Sequence, residues 1–106
     1  MSRITGKFIL ITGASSGIGA ASGRRLAAEG ASLVLWARRT DRLEQLGAEL
    51  RQRHGATVHL AAVDVRDRVA VNRAAEGLVA AGHVPDVLIN NAGLASGMAK
   101  IHEGDP

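Results

Sequence analysis

Apolar residues along the chain concentrate in four short runs, separated by stretches where they recur every three or four positions. The runs are centred on Phe8-Ile9-Leu10-Ile11, Leu33-Val34-Leu35-Trp36, Val58 to Val63, and Val87-Leu88-Ile89. Runs of this length predict strands covered on both faces, over 7–12, 31–37, 57–63 and 86–90. The intervening stretches predict helices. Ile18, Ala21, Arg25 or Leu26, and Glu29 mark successive turns of the first, which closes at Gly30. Thr40 or Asp41 supplies the cap of the second, Leu43, Leu46 and Leu50 lie along one face, and Gly55 ends it. Asp67 caps the third, in which Val71, Ala75 and Leu78 align, and Gly82 stops it. Pro85 separates that helix from the last strand. Strands alternating with helices require a parallel sheet with right-handed crossovers. Three strands make one mononucleotide-binding half and the fourth begins a second, so the expected strand order is 3-2-1-4, with the topological switch point between strands one and four.

The connection after the first strand carries the most information. It reads Thr12-Gly13-Ala14-Ser15-Ser16-Gly17-Ile18-Gly19. A buried strand, a glycine-rich turn and a helix start, in that order, form a phosphate-cradling unit of a Rossmann-like, doubly wound fold. Gly13 would let the chain turn off the strand, Gly17 would clear the approach of a pyrophosphate, and Gly19 would let the helix pack close to the strand. The helix then offers free N–H groups and its positive dipole end to an anion. A glycine triplet alone also marks ordinary turns. Some twenty residues on, where an acid would bond the hydroxyls of an adenosine ribose, the second strand ends in Ala37-Arg38-Arg39. Arg38, with Arg39 beside it, is suited to a bidentate bond with a 2′-phosphate, and Ser15 can add a hydroxyl. This favours NADP over NAD. The plainer reading is a basic loop between strand and helix.

Composition narrows the setting. With 106 residues the chain is one domain or part of one, and its 46% hydrophobic content is carried by Ala, Leu, Val and Ile, with one Phe, one Trp and no Tyr. No cysteine is present, so disulfides and thiolate metal sites are excluded. Residues 1–7 lack the apolar stretch of a leader peptide, and no run approaches a membrane span, which makes a cytoplasmic protein the expectation. The net charge of +3 comes mainly from arginine, yet acids interrupt the basic residues and no aromatic side chains stand among them, so nucleic acid is not an expected partner. His54, His59, His83 and His102 are scattered without metal-ligand spacing, and Glu49, Arg51 and Arg53 read as a solvated helix face.

Two further motifs follow the glycine turn in order: Asp64-Val65 after the third strand and Asn90-Asn91-Ala92-Gly93 at the end of the fourth. Taken singly they read as a strand-terminating loop residue and a turn. Together with T-G-x-x-x-G-x-G they resemble the classical short-chain dehydrogenase/reductase family over the whole chain. The resemblance implies that Thr12, Gly13, Ser15, Ser16, Gly17, Ile18 and Gly19 serve the pyrophosphate side of NADP, and that Arg38 and Arg39 take the 2′-phosphate. Asp64 and Val65 would meet the adenine, and Asn91, Ala92 and Gly93 the inner ribose. Asn91 to Gly97 is also similar to the branch acting on small 3-hydroxy acids such as serine or allo-threonine.

The family moves a hydride between nicotinamide and an alcohol or carbonyl substrate, using a Tyr as acid/base with a Lys four residues on. This sequence has no Tyr, so residues 1–106 are expected to bind cofactor without supplying catalytic residues or a metal site. Gly104-Asp105-Pro106 reads as a helix start, and the apolar fourth strand resembles one that a fifth strand covers. The expectation is the N-terminal part of a longer, homo-oligomeric oxidoreductase, its sheet truncated here after the fourth strand. The alternative is a non-catalytic NADP-binding module of this length.

Overall fold

The computed structural model describes residues 4–91. The elements follow the predicted alternation: β1 (Phe8–Thr12), α1 (Gly17–Ala28), β2 (Ser32–Ala37), α2 (Thr40–His54), β3 (Val58–Ala62), α3 (Arg68–Ala80) and β4 (Val87–Asn90). All pairings are parallel and the strand order is β3-β2-β1-β4. The fold is therefore a Rossmann-like parallel sheet with the expected order. The two central strands are the most apolar: Ile9, Ile11, Leu33 and Leu35 are all but inaccessible.

Alternation along the strands sends side chains to two separate cores. Ile9, Ile11, Leu33, Leu35, Ala37 and Val58 cluster with Ala27 of α1 and Leu43, Leu46 and Leu50 of α2. Leu10, Val34 and Trp36 point the other way, join Val63, and meet Phe8, Ala70, Val71, Ala74 and Leu78 on the α3 side. Helices thus cover both faces. The indole of Trp36 lies inside this second core, 4% exposed, and reports on packing beneath α3. No helix among the described residues is long and apolar enough to cross a membrane.

Caps fix most of the helix ends. Asp67 accepts from the N–H groups of Val69 and Ala70, as its position predicts. Gly30, Gly55 and Gly82 follow the three helices with φ of 93°, 62° and 78°, in the left-handed region where glycine is preferred. At α2 the reading shifts: Arg39, in extended backbone, is the N-cap residue, Thr40 opens the helix, and no side chain caps it.

Two helix faces also differ from expectation. Ile18 is 68% exposed, and α1 instead buries Gly19, Gly23 and Ala27. Small residues carry this contact because α1 lies close to the sheet and to α2, and a hydrophobic pattern registers glycine poorly. In α3, Ala74 and not Ala75 joins Val71 and Leu78 beneath the helix, and no α3 residue is fully buried. β4, paired with β1 among the described residues, leaves Val87 and Leu88 largely exposed.

The histidines are not all scattered. His59 of β3 and His83 of the α3–β4 connection lie with ring centroids 4.2 Å apart, and Phe8 is 5.2 Å from His83 and 6.0 Å from His59. Nε2 of His59 is buried without a hydrogen-bond partner. Burial, then His83, then Arg51 hold its pKa below the ordinary 6.5. A histidine whose pKa is lower in the folded chain favours folding in its neutral form, so stability is full above the unfolded value and declines as pH falls through it. Lowering pH from about 7 to about 5 should therefore depress the unfolding temperature more in the parent protein than in His59→Phe. Parallel pH profiles would exclude His59 as the source.

A glycine inside α3 offers a second test. Gly77 is exposed, and a Cβ there would meet nothing within 4 Å. Gly77→Ala should stabilise the fold by roughly 0.5–1 kcal/mol in a denaturant titration, through helix propensity alone.

Candidate functional site

The predicted site residues within the described region gather at the C-terminal edge of the sheet. Thr12 ends β1, Arg38 and Arg39 follow β2, Asp64 and Val65 follow β3, and Asn91 follows β4. In open parallel α/β sheets this edge, at the point where connections diverge, is where ligands sit. Ala92 and Gly93, assigned to the inner ribose, lie outside the described residues, as does most of the segment compared with 3-hydroxy acid enzymes.

The glycine turn is built around one carbonyl. Gly13 has φ of 62°, which takes the chain sharply off β1. Its oxygen accepts from the Ser16 N–H at 3.2 Å, the Ser16 hydroxyl at 2.8 Å and Asn91 Nδ2 at 3.1 Å. The Ser16 hydroxyl also accepts from Asn91 Nδ2 at 2.8 Å and, more weakly, from Gly19 N–H at 3.4 Å, making Ser16 the N-cap of α1. One strand residue back, Thr12 Oγ1 donates to Asn90 Oδ1 at 2.9 Å across the β1–β4 pair. On the other side Ala14 N–H donates to the Trp36 carbonyl, joining the turn to β2. The turn is held from both neighbouring strands.

These bonds leave other donors unused. The N–H groups of Ser15, Gly17 and Ile18 donate to no described residue. A Cβ on Gly17 would project into open space, so glycine keeps the outer side of the turn clear. Unsatisfied N–H groups at the N-terminus of a twelve-residue helix are an anion cradle. Ile18 is exposed beside them. Gly19 has a different role from the one predicted. A Cβ there would stand 2.4 Å from the Gly13 carbonyl oxygen and 3.1 Å from Asn91 Nδ2, so this glycine admits the turn's own hydrogen-bonded centre, not the strand. Gly23 faces both β1 and α2: a Cβ there would meet Leu50 at 3.8 Å and Ile11 and Leu46 at 3.9 Å.

Charges at the ends of β2 and β3 are unevenly engaged. Arg39 lies 3.9 Å from Asp41, both well exposed. Arg38 forms no hydrogen bond or ion pair with a described residue, although it stands near enough to Asp64 to favour that carboxylate. Asp64 is gripped by Arg66, which donates through its backbone N–H, Nε and Nη2 at 3.0–3.1 Å. These bonds hold the Asp64 pKa at about 2, so it is an acceptor-only carboxylate at neutral pH. The two-residue step from Asp64 to Arg66 is the sequence signal for this pair. Val65, half-buried, lies between them.

Two residues read as solvated helix face also have partners. Glu49 takes a forked bond from Arg24 of α1, and Arg51 Nη2 donates to the Val58 carbonyl. No group of three or more potential metal ligands occurs among the described residues.

A parallel sheet with a nucleotide-type cradle at the reversal of its strand order defines a dinucleotide-binding α/β protein. A family model described as short chain dehydrogenase matches residues 7–106, and the chain belongs to that family. It is 49% identical over 87 residues to sulfoacetaldehyde reductase 2 of Chromohalobacter salexigens, covering 82% of this chain and 34% of that protein. It is 45% identical over 91 residues to serine 3-dehydrogenase of Rhizobium radiobacter, covering 86% and 35%. Among solved structures it resembles L-sorbose reductase from Gluconobacter frateurii, complexed with NADPH and L-sorbose, with a TM-score of 0.78 and 41% identity over 83% of this chain and 34% of that one. The chain thus spans about a third of the length of these relatives.

The carbonyl-centred turn can be tested directly. Gly19→Ala forces backbone apart and should lower stability by about 1–3 kcal/mol, as overpacking does. Asn91→Ala removes two donors from a half-buried centre and should cost about 1–2 kcal/mol. Urea titration measures both losses, and unchanged midpoints would show that neither contact shapes the turn.

Proposed function

We propose that this segment is the cofactor-binding part of a longer, cytoplasmic, NADP-dependent oxidoreductase. The observation that carries this reading is the pairing of N–H groups at the start of α1 with Arg38 at the end of β2, neither having a partner among the described residues. The cradle suits the pyrophosphate, and Thr12, Gly13 and Ser16 shape it. Arg38 and Arg39 suit a 2′-phosphate, to which Ser15 of the turn can add a hydroxyl. Asp64 retains acceptor capacity for an adenine amino group, with Val65 beside it. Asn91 is engaged in holding the turn, and with Ala92 and Gly93 would border the inner ribose.

The bound nicotinamide supplies a hydride donor or acceptor, while this chain's residues bind and orient it. The 106 residues contain no Tyr for the family's acid/base role, and the chain covers about a third of its relatives. We therefore place proton transfer and substrate recognition in other parts of the protein, and expect the isolated segment to be inactive. Likeness to sulfoacetaldehyde reductase, serine 3-dehydrogenase and an NADPH-bound sorbose reductase supports a small alcohol or carbonyl compound as the substrate. Small 3-hydroxy acids are the first class to assay. Homo-oligomeric assembly of the complete protein fits this reading.

Arg38→Asp tests the cofactor assignment in the full-length protein. A charge-assisted bond contributes roughly 1.5–3 kcal/mol, so the change should weaken NADP by about ten- to a hundredfold. NAD should be held about as well as before, and calorimetric titration reads both. A parent protein that prefers NAD would overturn the assignment.

A further inference from the structure

Between α1 and α2 lies a cavity of about 260 Å³, lined by Ser15, Ala20, Arg24, Arg42, Gln45, Leu46 and Glu49. Whole small-molecule ligands occupy roughly 300–1,000 Å³, so this space suits one group of a larger ligand. It opens beside the glycine turn, because Ser15 belongs to both. Arg42 reaches it from the first turn of α2, three residues beyond Arg39.

The charges within it do not cancel. Arg24 Nε and Nη2 are taken by Glu49 at 2.8 and 3.2 Å, which pairs one cation with the one carboxylate of the lining. Arg42 has no hydrogen bond or ion pair with a described residue, nor do the side chains of Ser15 and Gln45. A guanidinium, a hydroxyl and an amide therefore share the cavity with their donors unused, and the cavity's net charge is that of Arg42. Such a donor set matches a phosphate group, which accepts forked bonds from guanidinium.

We infer that Arg42 is a specificity-determining residue, reading the 2′-phosphate of NADP from the α1–α2 cavity together with Ser15, while Arg38 approaches from the end of β2. This rests on the NADP reading proposed above. Glu49 then works against the phosphate in two ways: it occupies Arg24, and its own negative charge repels the ligand. Two substitutions in one cavity should consequently act in opposite directions, which a residue that merely maintains shape would not do.

The test is calorimetric binding to the full-length protein of NADP, adenosine 2′,5′-bisphosphate, NAD and ADP, with unfolding temperatures measured alongside. Arg42→Gln should weaken the two 2′-phosphorylated ligands by about tenfold and leave the other two within about twofold. Arg42→Lys, which keeps charge but loses the fork, should fall between. Glu49→Gln should tighten NADP and leave NAD unchanged. Equal weakening of all four ligands by Arg42→Gln would overturn the inference, as would no weakening while the parent still prefers NADP. A parent protein that shows no preference for NADP would overturn the underlying cofactor reading, and the role of Arg42 with it.

Discussion

The shape of the cradle depends on one oxygen atom, the carbonyl of Gly13. Three donors converge on it, two from Ser16 and one from Asn91. A carbonyl has two lone pairs, so this is a crowded and directional centre that fixes where the next three residues can lie. The N–H groups of Ser15, Gly17 and Ile18 have no partner among the described residues, while the groups gathered on this carbonyl satisfy one another. Gly19 must lack a side chain for the centre to exist at all. The free donors of the site and the filled acceptor behind them are parts of one arrangement.

Around this centre, the sheet provides two kinds of support. β1 and β2 lie deep in the core, and the Ala14–Trp36 backbone bond attaches the turn to the stiffer side. β4 is the more exposed strand, and attaches through polar side chains, Asn90 to Thr12 and Asn91 to Gly13 and Ser16. Beyond β2, Arg39 stands near Asp41, while Arg38 and Arg42 have no carboxylate partner among the described residues.

Much of this was legible in the sequence, because its main signals are local. Short apolar runs marked the strands, glycines after each helix marked the stops, and Asp67 marked a cap. The Leu43, Leu46 and Leu50 stripe gave the buried face of α2. What was not legible depends on contacts across the chain or on residues a hydrophobic pattern overlooks. The inner face of α1 is glycine and alanine, so Ile18 drew attention to the wrong side. Ala74 and Ala75 are indistinguishable by type, and only the angle of α3 on the sheet selects between them. His59 and His83, far apart in sequence, meet because β3 and the α3–β4 connection converge. Asn91, expected beside the inner ribose, also gives its amide to the glycine turn, a contact across 78 positions that the motif alone does not reveal. For the cofactor itself, the motif order carried the reading further than any single residue.

The bond from Asn91 to the Gly13 carbonyl spans 78 positions in the chain. During synthesis, the glycine turn leaves the ribosome long before its partner exists. Strand β1 can pair with β2 early, but the turn lacks a third of its inner donors until β4 has docked alongside β1. Long-range closure of this kind is a late event in folding, since the loop entropy is lost before the contact compensates. The phosphate cradle therefore acquires its final shape only on completion of the four-stranded sheet. A nucleotide that prefers that shape would act as a late clasp, selecting chains in which the first strand and the fourth have already met.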